Sequence, residues 1–442
     1  MTMHRMLLLG ALLGALLVLG TTGTEAATEI QWWHAMDGAL GEWVNDIAAG
    51  FNKSQTEYRV NAIYKGTYAQ TMTGAIAAFR AKQHPHIVQV FEVGTATMMA
   101  AKGAVKPVYE LMAEAGEKFD PNAYLAAVTG YYTTADGKML SMPFNSSTPV
   151  LYYNKDAFKK AGLDPAKPPR TWPEMGEYGK KLQAAGYPCG FSTQWQQWIL
   201  LENYSAWHNV PFATKANGFG GLETELAFNS PLHVRLVETL AEWQKAKTFD
   251  YGGRRGDANP KFNNGECAMF LASSAAYAGF VQGTKGKFEF GITMMPYWPD
   301  VQGVPQNSII GGATLWVLAG HKPAEYKAVA RFFTYLSSAE VQAASHQRTG
   351  YLPITLAAYE LTKRQGFYEK NPGTDIAIRQ INNKPPTDNS KGLRLGNLVQ
   401  IRDVMDEELE AAWAGKKTAK DALETAVKRG NELLRQFERA NR

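Results

Sequence analysis

Two tryptophans, Trp195 and Trp198, stand three residues apart in the Gln-rich run Ser192-Thr193-Gln194-Trp195-Gln196-Gln197-Trp198. On a helix that spacing puts both indoles on one side. There they either clamp the CH faces of a small polyol, with their N–H groups as donors, or cover core. A second candidate is Pro143-Phe144-Asn145-Ser146-Ser147-Thr148-Pro149, which runs straight into the apolar Val150-Leu151-Tyr152-Tyr153-Asn154. Proline fixes φ and removes an N–H donor, and the residue before it is pushed towards extended geometry. A polar loop fenced in this way can carry the chain from one lobe to another while presenting Ser146 and Ser147 to a ligand; it is equally a loop before a core strand. Gly311-Gly312 lets a ligand approach the backbone, whose N–H groups suit an anion, or marks a β-bulge. Arg394 and Arg402 lie in the apolar contexts Gly392-Leu393-Arg394-Leu395-Gly396-Asn397 and Gln400-Ile401-Arg402. A guanidinium so placed needs a partner, either an internal carboxylate or an anionic ligand. His34, after two tryptophans, reads as structural.

The elements that must position these residues follow an alternating order. Glu29 to His34 is a short strand. Leu40, Trp43, Val44, Ile47, Ala48 and Phe51 recur at helical spacing. Tyr58 to Tyr64 is a second strand, Thr67 to Arg80 a helix, and His86 to Val93 a nearly continuous apolar run, as expected of a buried parallel strand. Such alternation predicts an α/β lobe with a largely parallel sheet, and ligands of such sheets sit outside the carboxyl ends of the strands. Glu92, ending the third strand, and Gly66-Thr67-Tyr68, in the turn after the second, fall there. Thr97 to Asp120 reads as helical. Asp156 is expected to cap a short helix, Ala157 to Ala161, closed by Gly162. Thr171-Trp172-Pro173-Glu174 is a capping box opening a helix that ends near Gly186. Cys267 to Phe270 reads as a strand leading into Ala272-Ser273-Ser274, Gly291 to Pro296 as a return crossing, and Ile309 to Val317 as a strand. Thr349-Gly350-Tyr351-Leu352-Pro353 is a loop between helices. The tail is helical, with Leu423, Val427, Leu434 and Phe437 on one face.

The chain has 442 residues, more than one core usually holds, so two lobes are expected. The hydrophobic fraction of 45% and charged fraction of 20% are those of an ordinary soluble protein. Residues 1–26 carry Arg5, then the apolar run Met6 to Gly20, then the small residues Thr24 and Ala26, the pattern of a secretory signal peptide. A net charge of +5 with no basic stripe speaks against a nucleic-acid binder. Cys189 and Cys267 pair or stay reduced; neither has metal-ligand spacing. No phosphate-binding P-loop, nucleophile elbow, zinc-protease or calcium-loop motif is present, so neither an enzyme nor a metal cofactor is expected.

The strings Gly66-Thr67-Tyr68, Gln89 to Thr97, Pro143 to Lys155, Trp195 to Trp198, Thr349 to Ile354 and Lys391 to Asn397 closely resemble the extracellular solute-binding proteins of bacterial ABC importers, in the branch that captures glycerol phosphates. The resemblance covers essentially the whole chain after the leader. It implies an α/β, two-lobed periplasmic-binding-protein fold, maltose-binding-protein-like (type II), with ligand in the inter-lobe cleft. The expected division is 1–26 signal peptide, 27–145 with 296–336 as the N-terminal lobe, and 146–295 with 337–442 as the C-terminal lobe. The resemblance also implies ligand-binding roles for Tyr68, Glu92, Ser147, Trp195, Trp198, Ser273, Gly312, Tyr351 and Arg402. Glu92 would accept bonds from glycerol hydroxyls, the two tryptophans would sandwich the glycerol moiety, and Arg402 would bind the phosphate. A phosphate dianion needs a guanidinium, hydroxyls and a backbone N–H, and all three types are present. The implied ligand is sn-glycerol 3-phosphate or a glycerophosphodiester such as glycerophosphocholine. The implied partners are two membrane permease subunits and an ATPase subunit, with the chain a periplasmic monomer. An oligosaccharide receptor and a secreted glycerophosphodiester hydrolase are the competing readings.

Overall fold

A computed structural model describes residues 26–134 and 136–442. The leader read in residues 1–26 lies, Ala26 apart, outside the described residues. Two sheets dominate. The first has the order β2-β1-β3-β10-β4, with β5 also paired to β10. Its strands are β1 (Thr28–His34), β2 (Tyr58–Tyr64), β3 (Ile87–Phe91), β4 (Val105–Lys106), β5 (Met142–Ser147) and β10 (Gly311–Leu318). β1, β2 and β3 run parallel, as their flanking helices require, whereas β10 enters antiparallel to β3, β4 and β5. The second sheet has the order β7-β8-β6-β9, from β6 (Pro149–Asn154), β7 (Cys189–Thr193), β8 (Cys267–Ser273) and β9 (Phe290–Thr293). The chain passes between the sheets at Thr148, between β5 and β6, and again between β9 and β10. A disulfide joins Cys189 to Cys267, register partners of β7 and β8.

Period-two alternation builds two apolar cores, and each spans both sheets. Leu151 and Tyr153 of β6 join Val88 and Val90 of β3 in one; Val150 and Tyr152 join Ile30 and Trp32 of β1 in the other. Helix α1 (Gly38–Ser54) buries Trp43, Val44, Ile47 and Phe51 on the β1 side, while α2 (Tyr68–Arg80) covers the opposite face through Met72 and Ala75. On the second sheet lie α3 (Trp172–Ala184), opened by the expected box of Thr171 and Glu174, and α4 (Pro231–Ala246). After α5 (Pro323–Leu336), whose Phe332 and Phe333 are fully buried, α6 (Ala339–Thr349) follows. The tail is α7 (Leu398–Trp413) and α8 (Ala419–Asn441), the latter capped by Thr418.

Three expectations are corrected. The run Thr97 to Asp120 is two short helices, Thr95–Ala100 and Val108–Ala115, with β4 between them; Gly103, at φ +77, turns the chain there. Asn154 rather than Asp156 caps the helix Lys155–Lys160, accepting from the Ala157 N–H at 2.8 Å. The stretch from Pro143 to Ser147 is strand rather than loop, because its backbone pairs with β10.

Candidate functional site

The carboxyl ends of strands from both sheets meet around one cavity of about 590 Å³. Tyr68, Glu92, Ser147, Trp195, Trp198, Ser273, Gly312, Tyr351 and Arg402 all line it. Each arrives by a local device. Thr67 caps α2 through a reciprocal box with Gln70, which fixes Tyr68 in the first turn. The Tyr68 ring stacks on Phe91 at 5.2 Å, and its hydroxyl accepts from Asn145 Nδ2 at 3.0 Å. Asn145 is fully buried and in turn accepts from Gln89 Nε2 at 2.9 Å. The Tyr68 O–H proton is therefore directed away from the asparagine. Alternation along β5 separates the serines: Ser147 lines the cavity, whereas Ser146 Oγ is buried without a hydrogen-bond partner among the described residues. Ser273 Oγ accepts from the Ala275 N–H at 3.1 Å, capping a short turn and leaving its own O–H free to donate. Burial pushes the Tyr68 hydroxyl well above the usual tyrosine range and that of Tyr351 up to about 12, so both act as neutral hydroxyls.

The two tryptophans arise from unusual backbone. Trp195 has φ +43, a region a bulky residue occupies only when its surroundings impose it. Its N–H donates to the Arg255 carbonyl at 3.2 Å, and its carbonyl accepts from Trp198 and Ile199, each at 3.0 Å. A wide π-helical turn, Trp198–Asn203, follows; such turns recur at functional sites. Gly311 leaves the room for the Trp198 indole: a Cβ there would stand 2.5 Å from Trp198 Cζ2. Gly312 at φ +102 has its Cβ position 2.1 Å from the Asn145 carbonyl oxygen, so only glycine fits. Between the tryptophans, Gln196 reaches inward. Its Nε2 donates to Asp406 at 3.0 Å, and its Oε1 accepts from Trp413 at 2.7 Å.

Arg402 is 5% exposed and has the internal carboxylates that an arginine in an apolar context demands. Glu202 takes its Nε and Nη2 in a fork, both at 2.7 Å, and Glu92 takes Nη2 at 2.5 Å. Burial works against the Arg402 charge, but Glu202 and Glu92 beside it hold its pKa above the ordinary arginine range. Burial pushes the Glu92 carboxyl up, against the pull of Arg402. The remaining nitrogen, Nη1, makes no hydrogen bond to the described residues. One edge of the fork is held and the other is available to the cavity. Arg394, by contrast, lies outside this cavity. It has no carboxylate partner among the described residues; Nη2 donates to the Gly130, Tyr131 and Thr133 carbonyls at 3.2, 3.3 and 3.0 Å, and its guanidinium covers the Phe219 ring at 4.4 Å.

The residues that sequence reasoning passed over are Glu202, Asn145, Gln196 and Asp406. Glu202 carried a signal, as a lone acid in the apolar run Trp198-Ile199-Leu200-Leu201-Glu202. The others are polar residues in polar neighbourhoods, and only the fold shows that they are buried.

A model of the bacterial extracellular solute-binding protein family matches residues 46–375. The chain belongs to that family. Within it, the chain is 55% identical over 423 residues to the sn-glycerol-3-phosphate-binding periplasmic protein UgpB of Pectobacterium atrosepticum, covering 96% of this chain and 95% of that one. It is 54% identical to UgpB of Salmonella paratyphi A, covering 97% and 98%. Among solved structures, UgpB of Mycobacterium tuberculosis in complex with glycerophosphocholine superposes with a TM-score of 0.76 at 20% identity, over 93% of this chain and 99% of that one. Maltose-bound MalE3 of Thermotoga maritima gives 0.75 at 19%, over 92% and 100%. The fold is thus the two-lobed, maltose-binding-protein-like α/β fold of this solute-binding family, and the cavity lies between its two sheets.

Proposed function

We propose that this protein is the periplasmic substrate-binding protein of an ABC importer for sn-glycerol 3-phosphate, and that it also takes glycerophosphodiesters such as glycerophosphocholine. The observation that carries the reading is the Arg402 edge: a guanidinium fixed by Glu202, with Nη1 free, in a cavity lined by the Ser147, Ser273, Tyr68 and Tyr351 hydroxyls. A planar fork and several hydroxyl donors suit phosphate oxygens. Glu92 accepts from the glycerol hydroxyls, and Trp195 with Trp198 encloses the carbon chain. The relatives that are more than half identical and bear the glycerol-3-phosphate name support the same ligand. Gly312 supplies its backbone N–H to the phosphate.

Among the described residues no basic side chain hydrogen-bonds the Ser147 or Ser273 hydroxyl, Ser273 accepting only from the Ala275 N–H, which supports binding and release without turnover. The leader in residues 1–26 directs it to the periplasm and is removed near Ala26. The lobes, 27–145 with 296–336 and 146–295 with 337–442, close on the ligand by a hinge. The closed monomer then docks on two permease subunits driven by an ATPase. Thermal unfolding tests the ligand. At a hundredfold excess over Kd, binding to the folded state alone adds about 2.7 kcal/mol. Glycerol 3-phosphate is expected to raise the melting temperature and maltose to leave it unchanged; a shift with maltose only would favour an oligosaccharide receptor. Release of choline from glycerophosphocholine on incubation would make the protein a hydrolase instead.

A further inference from the structure

We infer that Arg255, at the mouth of the cavity, is a second phosphate-recognising cation and sets the preference of this site for a doubly charged terminal phosphate. The inference rests on the glycerol-phosphate reading above. Inside the cavity, Arg402 brings one positive charge against the two carboxylates of Glu92 and Glu202. Two further carboxylates, Asp37 and Asp257, stand in the lining. A phosphate dianion entering this site needs positive charge that Arg402, shared between two acids, does not fully supply.

Arg255 is the other cation in the lining. Its side chain makes no hydrogen bond or ion pair with the described residues, Asp257 included, and it is exposed. Its neighbour is used differently. Arg254 is locked on α7 by Glu410, through Nε at 2.8 Å and Nη2 at 2.6 Å, and Tyr251 donates to the same carboxylate at 2.8 Å. One arginine therefore anchors the loop, and the next is exposed and contributes to the cavity lining. The anchorage reaches the clamp as well, because the Arg255 carbonyl holds the N–H of Trp195. Any movement of the loop carries both the indole and the guanidinium, so lobe closure would bring the two onto the ligand together.

The test is calorimetry of wild type, Arg255→Ala, Arg255→Lys and Arg255→Glu with glycerol 3-phosphate and with glycerophosphocholine, at low and high salt. Since Arg255 supports nothing internal, all variants should melt within a degree or two of wild type. Arg255→Ala should weaken glycerol 3-phosphate by about tenfold, Arg255→Glu by more, and Arg255→Lys by less, with a shallower salt dependence in the alanine variant. Glycerophosphocholine, whose phosphate is singly charged and which carries its own cation, should lose under threefold. Alanine and glutamate variants within twofold of wild type for glycerol 3-phosphate would overturn the inference and leave the functional reading standing. Equal losses for both ligands would overturn the preference. A wild type that binds neither ligand would overturn the functional reading, and the inference with it.

Discussion

Replacing Arg402 by alanine should do two things at once, and the geometry separates them. The held edge of the guanidinium donates three charge-assisted hydrogen bonds, two to Glu202 and one to Glu92. Removing one partner of a buried ion pair strands the other, at about 3–5 kcal/mol. Ligand-free Arg402→Ala should therefore melt several degrees lower. The free edge, Nη1, brings two N–H donors. At about 1.5–3 kcal/mol for each bond to a charged group, its loss should weaken glycerol 3-phosphate by about 3–6 kcal/mol, a hundredfold or more. Arg402→Lys keeps the charge but loses the planar fork, and should recover only part of either quantity. The double variant Arg402→Ala/Glu202→Gln separates the roles: neutralising Glu202 should restore part of the melting temperature and none of the affinity. Differential scanning calorimetry and isothermal titration on the same preparations read both. A single variant with near-normal affinity, or a double variant whose affinity returns along with its stability, would refute the assignment and reduce Arg402 to an internal tie.

Two further outcomes follow from the same neighbourhood. Gly311→Ala places a methyl group against the rigid Trp198 ring, 2.5 Å from Cζ2; overpacking of this kind costs about 1–3 kcal/mol. Ligand affinity should fall and indole emission should shift, and an unchanged titration and spectrum would show that Trp198 is not part of the clamp. Asp406 is held by burial at about 7, with Gln196 and Arg254 pulling the other way. Its folded value is above its unfolded one, so this group's contribution is fully present below pH 4 and is lost as pH rises to 7. Asp406→Asn keeps an acceptor for Gln196 and removes the titration. It should gain stability on wild type between pH 4 and 7, by up to about 4 kcal/mol. Parallel stability profiles for the two proteins would refute the shift.

What was legible in the sequence was periodic or capped. The helical spacing from Leu40 to Phe51, the Thr171 box and the apolar run of β3 each state a local preference that the fold then uses. Residue type and position pointed to Tyr68, Glu92, Ser147, Trp195, Trp198, Gly312 and Arg402 as candidates. Ser273, Tyr351 and the role of each residue came from resemblance, since the cavity residues lie on segments up to several hundred positions apart. Arg402 illustrates the limit. Its need for a partner followed from its apolar neighbours, but the partners, Glu202 and Glu92, are 200 and 310 residues away. Arg394 shows the converse: the same argument anticipated a carboxylate, and the fold met the need with three carbonyls and a ring. Pro143 to Ser147 reads as loop in the sequence because its strand partner, β10, is far along the chain and polar residues rarely announce pairing.

The late arrival of β10 has a consequence for how the molecule comes into being. This strand lies against β3, β4 and β5, yet it begins at Gly311. A nascent chain that stops short of it holds β3 and β5 with unpaired backbone edges, which are templates for aggregation. Because each apolar core runs through both sheets, completing the second sheet alone does not rescue the first. The first sheet can thus be completed only after about two thirds of the polypeptide has been made. A chaperone that keeps the growing chain extended would suit this topology better than stepwise folding of its parts.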